Sequence, residues 1–177
     1  MVDFALSIKE QEIVEKYRDF VNRWIVPNRK KYDASGDFPW EIVKAAYDER
    51  IINGPLPVEY GGNGFSIFET SLASEELGAG CTGIGTTLDA NSLALTPTLI
   101  AATEEQKKRV YGEIIEKKGV AAYCLTEPQA GSDVQGIKST AILKGDKYIL
   151  NGEKRFITNG QEACYLTVFA QVNPDKG

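Results

Sequence analysis

The sequence predicts an α+β fold: an N-terminal all-α helical bundle over residues 1–119, then an incomplete antiparallel, β-barrel-like domain over residues 120–177. Three observations lead there. Apolar residues recur at three- and four-residue spacing as far as Lys118, the period of amphipathic helices. From Val120 onward, short β-prone stretches alternate with turn signals. The last apolar stretch then runs straight into a polar VNPDKG, so the β unit is read as unfinished and the chain as one part of something larger.

Each element has a local cause. Ser7 with Glu10 makes a capping box, and Ile8, Ile13, Val14, Tyr17, Phe20, Val21 and Trp24 form the stripe of a first helix that Pro27 ends. A second helix starts near Pro39, buries Trp40, Val43, Ala46 and Tyr47, and stops before Asn53-Gly54-Pro55. Pro55 to Gly64 is a loop. Phe65 to Leu77 and Thr82 to about Thr103 are two more helices divided by Gly78-Ala79-Gly80, the second apolar on all sides and expected in the middle of the bundle. A further helix runs from Thr103 to Lys118, with acids at its start and lysines at its end. Strands are expected at Val120–Leu125, Ser139–Lys144, Lys147–Leu150, Lys154–Ile157 and Tyr165–Val172, with hairpin turns at Gly145-Asp146 and Asn151-Gly152. An unpaired edge at the last strand is expected to drive self-association or fraying.

Composition excludes several functions. With no His, neither Ser-His nor Cys-His catalysis nor a His-ligated metal is available. A net charge of −5 without a dense basic run argues against a nucleic-acid surface. No run of about 18 apolar residues is available to cross a membrane, and the N-terminus lacks the charge and apolar pattern of a leader. Cys81, Cys124 and Cys164 are odd in number and scattered, which fits buried, reduced thiols and a cytoplasmic location. Lys107, Lys108 and Arg109, like Glu75 and Glu76, read as solvated helix faces.

One segment stands out, Tyr123-Cys124-Leu125-Thr126-Glu127-Pro128-Gln129-Ala130-Gly131-Ser132-Asp133. It is a strand running into a turn rich in hydroxyls and small residues, where backbone N–H groups can face a polar or anionic ligand and Gly131 permits close approach. Composition alone favours a plain Pro-Gly turn with an Asx-type bond at Asp133. Phe156 likewise reads on its own as strand packing. The GGNG at Gly61–Gly64 follows no strand and does not complete G-x-G-x-x-G, so it is not a dinucleotide loop.

In their order these residues resemble the first signature of the acyl-CoA dehydrogenase family, and NGEKRFITNG at Asn151–Gly160 resembles its second at the expected distance. PVEYGGNGFS at Pro57–Ser66 and LDANSLALTP at Leu88–Pro97 are similar to the family's Gly-rich loop and central buried helix, so the resemblance spans the chain. It implies FAD as cofactor, contacted by Tyr123, Leu125, Thr126, Gly131 and Ser132 from the first signature and by Phe156, Ile157 and Thr158 from the second. Phe156 stands where many members have Trp, which keeps an apolar shield and loses an N–H donor. Ser132, Thr86 and Asp89 are the implied acyl-CoA contacts, with Asp89 limiting pocket depth; pairing of Asp89 with Asn91 or a backbone amide is the alternative.

The implied reaction is α,β-dehydrogenation of an acyl-CoA thioester to the 2,3-enoyl-CoA. In the family the catalytic Glu comes from a C-terminal domain, so no catalytic residue is expected in this chain, and Glu127 is not a substitute. The implied partners are acyl-CoA, the C-terminal domain or a companion subunit, further copies in a homo-oligomer, and an electron-transfer flavoprotein. Two other readings stay open: a non-catalytic helical module without flavin, and a related flavoprotein of the acyl-CoA oxidase or desulfinase kind.

Overall fold

A computed structural model of the chain describes residues 5–173, so the readings that rest on residues 1–4 and 174–177 lie outside the described part. Among the described residues six α-helices precede four short strands: α1 Ile8–Phe20, α2 Arg29–Ser35, α3 Trp40–Asp48, α4 Ile67–Gly80, α5 Thr82–Ala101, α6 Glu104–Lys117, β1 Ala121–Cys124, β2 Thr140–Lys144, β3 Lys147–Asn151 and β4 Tyr165–Val168. A helical part followed by strands is therefore the observed order. Reciprocal capping boxes start α1 at Ser7 and Glu10, α4 at Ser66 and Glu69, and α6 at Thr103 and Gln106. The first helix continues past Phe20 as one π turn, Val21–Ile25, up to Pro27. Its stripe packs at Ile13, Tyr17, Phe20, Val21 and Ile25, whereas Ile8 is exposed.

Two helical expectations need correction. Gly78-Ala79-Gly80 does not break the fourth helix, which runs to Gly80 and gives way to α5 at the extended Cys81. A Cβ on Gly80 would lie 2.5 Å from Val21 Cγ1, so its smallness serves close packing against the π turn. Nor is α5 buried all round. Its core face packs against α4, α6, β1 and β4, while Thr86, Asp89, Leu93 and Ile100 form an exposed stripe at helical spacing.

The strand pattern also departs from expectation. Only β2 and β3 form the antiparallel hairpin around Gly145-Asp146; β1 and β4 pair in parallel, Ala121 opposite Tyr165 and Cys124 opposite Val168. About 40 residues separate β1 from β4, ample for the crossover that a parallel pair requires. Residues Lys154–Ile157 are not a strand, and Asn151-Gly152 is not a hairpin turn. Gly152 instead lets the chain pass Ser139, whose Oγ would lie 2.1 Å from an added Cβ. The last strand is not unpartnered, since β4 borders β1 and Gln171 bridges Thr140.

Polar groups on one face of α5 attach the strands to the helices. Asn91, fully buried, accepts from the Ala121 N–H at 2.6 Å and donates to Asn53 Oδ1 at 2.7 Å. Asn159 donates to the carbonyls of Thr87 and Ala121 at 3.0 and 3.2 Å. Thr167 donates to the Ala94 carbonyl at 2.6 Å, and Thr98 pairs with the Tyr165 hydroxyl at 3.1 Å. Tyr47, its hydroxyl pushed up to about 12 chiefly by burial, donates to the Gly119 carbonyl at 2.6 Å.

Replacing Asn91 by Ala strands the Ala121 N–H and Asn53 Oδ1 inside the protein, and each lost partner costs about 1–3 kcal/mol. Urea unfolding of Asn91→Ala is expected to show a loss of about 3 kcal/mol or more, against about 1 kcal/mol for Thr167→Val. Equal losses in the two variants contradict the assignment of Asn91 as the main anchor.

Candidate functional site

The two segments singled out in the sequence emerge from different strands and meet. The first follows β1; the second follows β3. The Arg155 N–H donates to the Thr126 carbonyl at 2.9 Å, and Lys154 Nζ donates to the Leu125 carbonyl at 2.9 Å. Lys154 also pairs with Glu127 at 2.7 Å. Glu127 is 4% exposed and accepts four hydrogen bonds: from Lys154 and the Ser139 N–H on Oε1, and from Gln129 and the Lys138 N–H on Oε2. Its own N–H and carbonyl exchange hydrogen bonds with Ala130, closing the turn that leads to Gly131 and Ser132.

Around this junction the predicted residues fall into distinct places. Tyr123, Leu125 and Thr126 are half-buried, Tyr123 with its ring 4.9 Å from that of Phe169. Gly131 and Ser132 are exposed, and nothing lies within 4 Å of a Cβ placed on Gly131. Phe156 is 92% exposed and held at φ 56°, a left-handed conformation that costs a bulky residue roughly 1–2 kcal/mol. Ile157 and Thr158 line a cavity of about 460 Å³, together with Thr87, Asn159, Cys81 and Glu162. Its far wall is tied to α3 by the Trp40 indole, which donates to Glu162 at 3.1 Å.

Thr86 and Asp89 do not join these residues. Thr86 is exposed on α5, and Asp89 lines a second cavity of about 250 Å³ with Tyr17, Ser74, Leu93 and Thr96. Asp89 is not paired with Asn91, whose amide is committed to Asn53 and Ala121. Although Asp89 is exposed on α5, the walls of this cavity desolvate its carboxyl and push it up from its ordinary value, and a hydrogen bond with Ser74 opposes the shift. Of the three free thiols Cys124 is buried, with its thiol raised by burial, and Cys81 is half-buried; Cys164 is exposed, contrary to expectation. Tyr165 beside Cys164 turns its hydroxyl to Thr98, so β4 keeps its inward contact without the thiol.

Sequence reading missed Lys154, Glu127 and Asn159 as organisers of the site. For Asn159 a signal existed, because Asn-Gly marks a left-handed turn, and Asn159 is at φ 64°. No spacing rule links a Glu to a Lys 27 positions away.

Burial alone pushes the Glu127 carboxyl up, but the Lys138 N–H, the Lys154 ammonium and Ser139 outweigh it and hold the group far below the ordinary carboxylate range. A carboxyl lowered on folding stabilises the protein fully above its unfolded value, and that stabilisation fades as pH falls, because the unfolded chain takes the proton first. Urea midpoints measured from about pH 7 to about pH 3 are expected to fall. The Glu127→Gln variant starts less stable and shows a shallower decline. A parallel decline in both proteins rules Glu127 out as a source of the acid sensitivity.

Comparison with known proteins identifies the family. The family description "Acyl-CoA dehydrogenase, N-terminal domain" matches residues 7–118, and "Acyl-CoA dehydrogenase, middle domain" matches residues 122–177. The chain is 41% identical over 174 residues to a probable medium-chain specific acyl-CoA dehydrogenase 2, mitochondrial, of Caenorhabditis briggsae, covering 98% of this chain and 43% of that protein. A chain from the electron transferring flavoprotein structure of Acidaminococcus fermentans is 38% identical with a TM-score of 0.92, over 99% of this chain and 47% of that one. A glutaryl-CoA dehydrogenase from Mycobacterium smegmatis, solved with FADH2, is 30% identical with a TM-score of 0.87, over 95% and 44%. The chain thus spans about half the length of the relatives it matches. Among the described residues no helix is long and apolar enough to cross a membrane. With both domain descriptions matched in succession over nearly its whole length, the chain belongs to the acyl-CoA dehydrogenase family.

Proposed function

We propose that this chain holds the flavin edge of FAD and one wall of the acyl-CoA site in an enzyme that converts an acyl-CoA thioester to the 2,3-enoyl-CoA. The observation that carries the reading is Phe156, a large apolar side chain turned to solvent on a strained backbone beside Ile157 and Thr158. Such strain persists where the surroundings impose it, and an exposed aromatic face is suited to covering a planar ring. The residues present fit the cofactor. Thr126 and Thr158 offer hydroxyls for a heterocycle's nitrogen and oxygen atoms. The unobstructed backbone at Gly131 and the exposed Ser132 suit a ribityl-phosphate arm. Leu125, Tyr123 and Ile157 supply the apolar border.

Bound FAD supplies a two-electron acceptor, chemistry that no side chain offers. The chain's own part is to position and to exclude water. Phe156 shields one side, and Thr126 and Thr158 orient the ring. Ser132 would meet the cofactor and the thioester, and Thr86 and Asp89, the latter in the separate cavity of about 250 Å³, would border the acyl chain where it runs along α5. Asp89 sets its depth, since an apolar tail gains nothing by reaching a carboxylate. Glu127 is not the proton acceptor, because its four hydrogen bonds and lowered pKa leave it a poor base. We assign the base to a part of the enzyme outside this chain, and divide the chain at Gly119 into a helical domain and the start of the flavin domain. Homo-oligomerisation, transfer of electrons to an electron-transfer flavoprotein and a cytoplasmic setting complete the proposal.

The chain, mixed with FAD and desalted, is expected to keep a flavin absorption band. Phe156→Gly relieves the strained φ and so holds or raises stability by up to about 1 kcal/mol, while its FAD dissociation constant rises about tenfold or more. Unchanged FAD binding in Phe156→Gly removes the observation on which the reading stands. A second assay, dye reduction with butyryl-CoA and octanoyl-CoA, is expected to show no turnover by the FAD-loaded chain; turnover places a base within it.

A further inference from the structure

Glu127 and Lys154 do no chemistry in the proposed reaction, yet they form a nearly solvent-free ion pair in the protein, with side chains 2% and 12% exposed. A buried pair is a poor route to stability, because desolvating both charges offsets most of their attraction. Its better-attested use is to specify one geometry among several. The surroundings supply a geometry that needs specifying. Strands β2 and β3 have few buried side chains: all five residues of β3 are exposed, and in β2 only Ala141 is buried. Apolar packing therefore does not fix how this hairpin sits on the helices. Its two ends converge on one carboxylate. The entry to β2 reaches Glu127 through the N–H groups of Lys138 and Ser139, and the exit from β3 reaches it through Lys154.

We propose that the Glu127–Lys154 pair is the positioning joint that sets the register between the Leu125–Ser132 segment and the Phe156–Thr158 segment, so that both face one flavin; this rests on the reading of those segments as FAD contacts. The links run through main-chain atoms. Lys154 Nζ holds the Leu125 carbonyl at 2.9 Å, which leaves the next carbonyl, that of Thr126, to take the Arg155 N–H at 2.9 Å. Phe156 follows Arg155 directly, so the orientation of the Thr126 peptide and the placing of the Phe156 ring are set together. On the other side Glu127 closes the 127–130 turn that delivers Gly131 and Ser132. Three further links, Gln171 N–H to the Ser139 carbonyl at 2.8 Å, Ala141 N–H to the Gln171 carbonyl at 2.9 Å and Gln171 Nε2 to the Ile137 carbonyl at 2.9 Å, hold the entry of β2 but not the exit of β3. Besides the Arg155–Thr126 main-chain bond and the Asn159 anchor at the far end, the pair is the connection between the two segments, and its loss leaves the stretch around Phe156 held at Asn159 alone once that bond opens.

The test uses the whole chain with FAD as probe, in Glu127→Gln, Lys154→Met, the double variant, Lys154→Arg, and Ile42→Val as a core variant remote from the pair. Each single neutral variant is expected to raise the FAD dissociation constant about tenfold or more, and the double variant to be no more than about threefold worse than the weaker single, because one joint is broken once. Lys154→Arg, which keeps the charge, is expected to stay within about threefold of the parent. A flavin-free readout runs beside this. Exchange of the Arg155 amide hydrogen should quicken about tenfold in Lys154→Met while amides in α5 keep their protection. Parent-like FAD binding in both single variants, or equal weakening by Ile42→Val, overturns the proposal, as does an unaltered Arg155 exchange rate. If the parent itself retains no FAD, it is the cofactor reading that fails, and the Arg155 exchange alone decides whether the joint exists.

Discussion

One helix face governs where everything after residue 119 lies. Helix α5 turns Thr87, Asn91, Ala94 and Thr98 toward the strands, at spacings of four, three and four that keep them in a row. A buried strand edge needs partners for its backbone groups, and β1 has β4 on one side only. Asn91 and Asn159 supply partners for both polar groups of Ala121, so the first strand is attached to α5 by side-chain amides as well as by packing. Val120 belongs to one apolar core and Ala121 to the other, which makes β1 in packing terms a member of the helical layer.

The proposed cofactor segments inherit their position from that attachment. The first leaves β1 directly. The second is held near its end by Asn159, whose amide returns to α5 and to Ala121, so it is anchored to the same strand that begins the first. Between these fixed points the route out through β2 and β3 is long and thinly packed. Glu127 and Lys154 bridge it midway. Rigid helices thus carry two loops whose mutual placement depends on a few polar links, the arrangement expected where a loop must meet a ligand with exact geometry.

The helices are legible in the sequence because capping boxes and three-four spacing are local signals, and Ser7, Ser66 and Thr103 all cap as their neighbours require. The errors arise where a distant contact overrides a local one. Gly80 reads as a breaker and is instead a packing residue against Val21. Asn151-Gly152 carries the dipeptide of a hairpin turn, but the nearness of Ser139 is what selects Gly there. The parallel pairing of β1 with β4 depends on α5 lying beneath both strands, and no feature of Tyr165–Val168 encodes that. At the site, the residue types of both segments are legible as a motif. The ion pair that joins them is not, because Glu127 and Lys154 meet only after two strands have folded between them.

This division of labour separates two kinds of stability within one chain. Apolar burial holds α1, α3, α4 and α5, with Tyr17, Phe20, Ile42, Leu77 and Leu88 almost fully enclosed, and apolar burial does not depend on protonation. The junction of the two segments is held by a carboxylate, an ammonium and backbone amides, whose strength follows the charge on Glu127. Acid therefore reaches the junction through Glu127, as it reaches the helices through the paired carboxylates of Glu49 and Glu69. The segment it releases carries Phe156, whose left-handed backbone is already uphill and lapses to an ordinary conformation once the constraint is gone. Acid therefore weakens both the fold and the site through Glu127, and at the site the main-chain bond of Arg155 to Thr126 and the Asn159 amide are the links that do not follow its charge.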